Sequence, residues 1–136
     1  GDYDAAKVNY GRALTLNPDL LEAYINLGAI YGEVGESGQA IETYSKGLEA
    51  FPKSAELHYN LGLVYKKQKL YDRAISEYQA AIKLKIDYAD AYGNLGVAYA
   101  KKGLIEEAKE AIRKALEIDP TNEVMRQNLD TLENPK

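Results

Sequence analysis

The phrase NLGxxY occurs at residues 26, 60 and 94, each copy 34 residues after the last, and returns from Asn128 as NLDTLE, where it fails. A chain that repeats at a fixed period builds one unit and stacks copies of it, because a unit this short cannot hide its apolar face alone. Sliding the sequence by 34 aligns Tyr24, His58 and Tyr92; Leu27, Leu61 and Leu95; Gly28, Gly62 and Gly96; and Tyr31, Tyr65 and Tyr99. A second set follows in each copy: Ala6, Ala40, Ala74 and Ala108, then Tyr10, Tyr44, Tyr78 and Ile112, then Ala13, Gly47, Ala81 and Ala115.

Within a copy, Tyr24, Leu27, Gly28 and Tyr31 stand at i, i+3, i+4 and i+7, which is one face of a helix. Ala40, Tyr44, Gly47 and Leu48 repeat that spacing on a second helix. Glycines at 35 and 103 read as helix-ending turns, and Pro18, Pro52 and Pro120 punctuate the next junction. The unit is a helical hairpin, and the chain is predicted to be all-α with about eight helices. Small residues alternate with aromatic ones because two helices approach closely only where one offers Gly or Ala and the other a ring.

This pattern resembles the tetratricopeptide repeat (TPR) family, and the resemblance covers the whole chain. It implies a right-handed superhelix of antiparallel hairpins whose first helices line a concave, peptide-binding groove. His58 replaces an aromatic, Ile112 a tyrosine, and Ile86 the expected proline, which should soften the junction near Asp87. The expected organisation is a single domain, 1–136: a second helix of a truncated repeat at 1–20, complete repeats at 21–54, 55–88 and 89–122, and a capping helix at 123–136. The cap is expected because Asp130 and Glu133 fall where glycine and tyrosine belong, leaving inner contacts to Met125, Leu129 and Leu132. A start at Gly1, in the turn between two helices, suggests a cut in a longer protein.

A formal charge of −4 and a pI near 5.1 argue against nucleic acid as the main partner, since phosphate neutralisation needs a basic face. No apolar run approaches the roughly 18 residues that span a bilayer, so no membrane insertion is expected and the cytoplasm is the expected location. There is no cysteine, and no metal or other cofactor is expected. No catalytic residue is expected either. His58, the single histidine, occupies a core column, and the paired acids Glu106–Glu107 and Asp87–Asp90 read as solvated helix-start charges.

Opposite the packed face of the first helices runs a stripe of Ile25, Ala29, Tyr59, Leu63 and Val97, apolar where water alone would favour polar residues. The resemblance places that stripe in the groove. Asn26, Asn60, Asn94 and Asn128 recur at the family's asparagine position, where an amide that both donates and accepts suits a peptide main chain. Lys67 and Lys101, with Lys66 and Lys102, give the groove a basic lip opposite Glu22, Glu56 and Asp90. Those acids would repel the EEVD tails held by the family's two-carboxylate clamp, so that clamp is not expected here.

The expected function is therefore a non-enzymatic protein-interaction scaffold that holds a peptide or partner helix in its groove. Two alternatives stand beside it. One is head-to-tail self-association through the N-terminal helix edge at Ala6, Tyr10 and Ala13. The other is service as the substrate-recruiting domain of a larger enzyme.

Overall fold

The computed structural model describes residues 2–136, so the expected cut at Gly1 lies outside the described residues. Eight helices and no strand occur among the described residues: α1 (Tyr3–Leu16), α2 (Leu21–Glu33), α3 (Ser37–Ala50), α4 (Ala55–Lys67), α5 (Tyr71–Leu84), α6 (Ala89–Lys101), α7 (Ile105–Ile118) and α8 (Glu123–Glu133). Each helix packs on the next, forming the stack of hairpins that the period implied. The first helices of successive hairpins also touch one another directly, α2 with α4 and α4 with α6, whereas no comparable contact joins α3 to α5 or α5 to α7. The stack therefore curves toward its first helices, and they form the concave wall.

Local chemistry sets the helix ends. Asp2, Ser54 and Asn122 each cap a helix by accepting a hydrogen bond from a backbone N–H three residues on. The first helices end alike, the N–H of Glu36, Leu70 and Leu104 returning to the carbonyls of Tyr31, Tyr65 and Tyr99 at 2.8, 2.9 and 3.0 Å. That closure needs a left-handed residue between, supplied by Gly35 (φ 82°), Gly103 (φ 78°) and, against steric preference, Lys69 (φ 60°). At the Pro-less junction, the N–H of Tyr88 bonds to the carbonyl of Lys85 at 3.2 Å, as the N–H of Ser54 does to Phe51 at 3.1 Å. The same turn forms without proline, and Ile86 stands exposed in its place.

The core follows the columns. Ala40, Ala74 and Ala108 are fully buried, with Tyr44 and Tyr78 beside them. A Cβ added at Gly62 would lie 2.6 Å from Cε1 of Tyr78, and one at Gly96 would lie 2.5 Å from Cγ1 of Ile112. Tyr24 meets Phe51 edge-on at 6.3 Å across the α2–α3 hairpin. Met125, Leu129 and Leu132 of α8 are half-buried while Asp130 is exposed, and the Arg113–Glu133 ion pair ties α8 to α7.

Burial pushes the hydroxyls of Tyr44 and Tyr88 up to about 12 and that of Tyr78 further; Tyr78 Oη also has no hydrogen-bond partner among the described residues. Gly62→Leu should lose about 1–3 kcal/mol by overpacking against Tyr78, measured by urea unfolding. Lys69→Gly should gain about 0.5–1 kcal/mol by relieving the left-handed backbone, net of the entropy glycine adds to the unfolded chain. Tyr78→Phe should leave stability unchanged or raise it by about 1 kcal/mol, because it removes a buried hydroxyl that bonds to nothing. Since folding raises these tyrosine pKa values above 10.0, the unfolded chain releases protons first. Stability should hold below about pH 10 and fall from about pH 10 to 12, read as a declining urea midpoint.

Candidate functional site

An open pocket lies on the concave wall, between α2 and α4. Its volume is about 260 Å³, and it is lined by Ala29, Gly32, Glu33, Tyr44, Asn60, Leu63, Val64 and Lys67. Gly32 contributes no side chain, which keeps the mouth open. Leu63 and Val64 wall it from α4, and Tyr44 reaches it from α3. The half-buried Asn60 amide makes no side-chain hydrogen bond among the described residues, so both its donor and its acceptor face the pocket unspent. Lys67 Nζ donates to the carbonyl of Gly32 at 2.8 Å, bridging α4 to α2.

One repeat further on, the corresponding place is closed. Lys66 stands where Gly32 stood, and its Nζ donates to Asn94 Oδ1 at 2.6 Å. Asn94 Nδ2 donates to Tyr59 Oη at 3.2 Å and to the carbonyl of Asp90 at 3.0 Å, so this amide is fully engaged. Tyr59 is half-buried, its ring 5.0 Å from that of Tyr88 and 6.0 Å from that of Tyr78. Burial, with a smaller contribution from Asp90, raises its hydroxyl pKa. Burial alone lowers that of Lys66.

The pocket thus brings together Ala29, Asn60, Leu63 and Lys67. Ile25 lies apart, half-buried against the first core cluster, and Val97 is half-buried on α6. Asn26 and Lys101 are exposed, and Asn128 is half-buried on α8. Sequence reasoning missed Gly32, Tyr44 and Val64 as pocket residues. The signal was available in the column Gly32, Lys66, Ala100, where side-chain size changes abruptly at a groove-facing position.

On the opposite face, a groove of about 340 Å³ is lined in part by Tyr24, Leu27, Tyr31, Glu42 and Lys46, and another of about 250 Å³ by their counterparts Tyr92, Leu95, Tyr99, Glu110 and Lys114. In the middle repeat the place is taken by His58, whose Nδ1 lies 2.7 Å from Glu77 Oε2, and by Arg73 stacked over Tyr65 at 5.6 Å. Recurrence two repeats apart marks these grooves as products of stacking. His58 is paired with a carboxylate across α4 and α5. No cluster of metal-binding side chains, and no helix long and apolar enough to cross a membrane, occurs among the described residues.

At the N-terminal end, α1 packs on α2, tied by Tyr3 to Glu33 at 2.5 Å, and Lys7 reaches Glu36, at the start of α3, at 3.0 Å. Ala6, Tyr10 and Ala13 are only half-buried, and α1 buries no residue fully.

Known proteins agree with this architecture. The tetratricopeptide repeat profile matches residues 89–122, and a TPR repeat profile matches 1–35, 33–69 and 70–103. Among solved structures, a crystal structure of MamA is 33% identical with a TM-score of 0.90, over 97% of this chain and 77% of that one. The first TPR of Spaghetti (RPAP3), bound to the HSP90 peptide SRMEEVD, is 28% identical with a TM-score of 0.81, over 83% of this chain and 90% of that one. The second TPR domain of human RPAP3, in complex with the HSP70 peptide SGPTIEEVD, is 27% identical with a TM-score of 0.78, over 82% and 92% of the two chains. No curated protein matches. The matched repeats and the stacked hairpins make this chain a member of the tetratricopeptide repeat family, a generally non-enzymatic fold that serves as a protein-interaction scaffold.

Proposed function

We propose that the concave wall binds an extended peptide or a partner helix of another protein, anchored in the α2–α4 pocket. One observation carries this reading: an open apolar pocket on the inner wall is lined by an amide with no hydrogen-bond partner among the described residues, at Asn60. Apolar contact with Ala29 and Leu63 supplies affinity, and Asn60 supplies a main-chain contact indifferent to ligand sequence. Asn26 extends that ladder, and Lys67 and Lys101 flank it. Tyr59, Asn94, Ile25 and Val97 shape the wall. Glu22, Glu56 and Asp90 are exposed at the opposite ends of these helices. That lip disfavours the two-carboxylate grip suited to EEVD tails such as those bound by the RPAP3 domains.

A second reading is self-association through α1, favoured by the half-exposed Ala6, Tyr10 and Ala13 on a helix without a buried residue. Light scattering across protein concentration tests it: a mass that stays monomeric removes this reading. Recruitment of substrate for a larger enzyme would use the same groove.

The groove itself is tested with Ala29→Trp. Ala29 is exposed, so the indole should fill the pocket without disturbing the fold. Peptides of twelve residues, displayed on phage and selected on the protein, should lose at least tenfold in affinity for Ala29→Trp by fluorescence anisotropy. Equal affinity for both forms would rule the pocket out as the anchor.

A further inference from the structure

The inner wall alternates an open apolar pocket with a place filled by a charge, and the charge is poorly compensated. Lys66 Nζ is half-buried, with the neutral Asn94 Oδ1 as its one hydrogen-bond acceptor and no carboxylate within ion-pair distance among the described residues. Lys102, which caps the end of α6, is neutralised by Asp72, and Lys7 by Glu36 and Asp4. An ammonium taken partly out of water gains most from a carboxylate brought to it. The groove's own acids do not serve: Glu22, Glu56 and Asp90 lie in the first turns of their helices while Lys66 lies in the last turn of α4, and Glu33, at the end of α2, accepts from the Tyr3 hydroxyl. Burial also disfavours the charged form of Lys66.

We propose that the groove selects an extended peptide carrying one aliphatic side chain, seated between α2 and α4, and an internal Asp or Glu one helix further along, received by Lys66. This rests on the groove reading above and gives it a ligand chemistry. Neighbouring packed helices lie roughly 8–10 Å apart, which an extended chain covers in about three residues. The aliphatic residue and the acid are therefore separated by about that many positions. A side-chain carboxylate satisfies Lys66, so a free peptide C-terminus is not required, unlike a tail held by its terminal carboxylate. Gly32 and Lys66 occupy equivalent repeat positions, and this difference, together with Ile25 against Tyr59, turns an aliphatic site into one that receives an acid.

Selection of phage-displayed twelve-residue peptides on the whole chain, with anisotropy on the most enriched peptide, decides the matter. The expected sequences place Asp or Glu about three residues from an aliphatic residue, and amidating the C-terminus leaves affinity unchanged. Lys66→Met, which keeps side-chain length and helix propensity, should weaken binding at least tenfold and reduce its salt dependence. Lys66→Gly should exchange the acidic preference for an aliphatic one. If Ala29→Trp weakens binding and Lys66→Met does not, this proposal fails while the groove reading survives. If neither variant weakens it, or no peptide is enriched, both fail.

Discussion

The close contact of a glycine on α2, α4 and α6 with a large side chain on the next helix, Tyr44, Tyr78 or Ile112, is the constraint the rest of the structure depends on. A methyl group at Gly62 would fall 2.6 Å from Tyr78, so no larger residue fits without displacing a side chain that is itself fully buried. Close approach at this one point draws the hairpins tight, and tight hairpins let α2 reach α4 and α4 reach α6. The concave wall is thus a consequence of the packed column on the other side of the same helices. On α8, Asp130 takes the glycine's place and faces water, bonded by Asn134 Nδ2 at 3.0 Å.

With the packed column fixed, the groove-facing column is free to vary, and its variation grades the wall from one end to the other. The column Ile25, Tyr59, Gly93 shows this. Ile25 packs into the first core cluster and leaves Asn60 alone. Tyr59 has a hydroxyl and engages Asn94. Gly93 is buried beneath Met125 of α8, where an added Cβ would lie 2.8 Å from the sulfur. The wall is open between α2 and α4, latched between α4 and α6, and filled by a methionine between α6 and α8.

The fold was legible because its cause is periodic: a column that must be small or aromatic repeats every 34 residues, and the helix ends follow from Gly35, Gly103 and the prolines. The wall was less legible because its state depends on pairs from different repeats. Asn60 and Asn94 look identical in the sequence, yet one is free and the other spent, and the difference lies in Gly32 against Lys66 and Ile25 against Tyr59. Tyr59 looked like a groove anchor because it breaks the helix's polar face. Its half-buried ring also packs near Tyr78 and Tyr88, a neighbour from the junction that the helix's own pattern does not reveal. Lys69 shows the converse, since the repeated turn imposes a left-handed backbone on a residue that does not favour it.

The charges of the wall separate what helix stability requires from what it does not. Acids in first turns and lysines in last turns complement the helix macrodipole, so the acidic and basic lips need no ligand to explain them. Lys67 and Lys101 fit that account, being exposed in last turns. Lys66 fits it only in part. Its position satisfies the dipole, yet its ammonium folds inward onto a neutral amide where burial works against its charge. A solvated rotamer would serve the helix end equally well without that cost. The inward course is held by Asn94, itself held by Tyr59, so the latch is a three-residue network spanning α4 and α6. The position of a lysine at a helix end says little about what it binds; its burial without a counter-charge is the feature that singles Lys66 out.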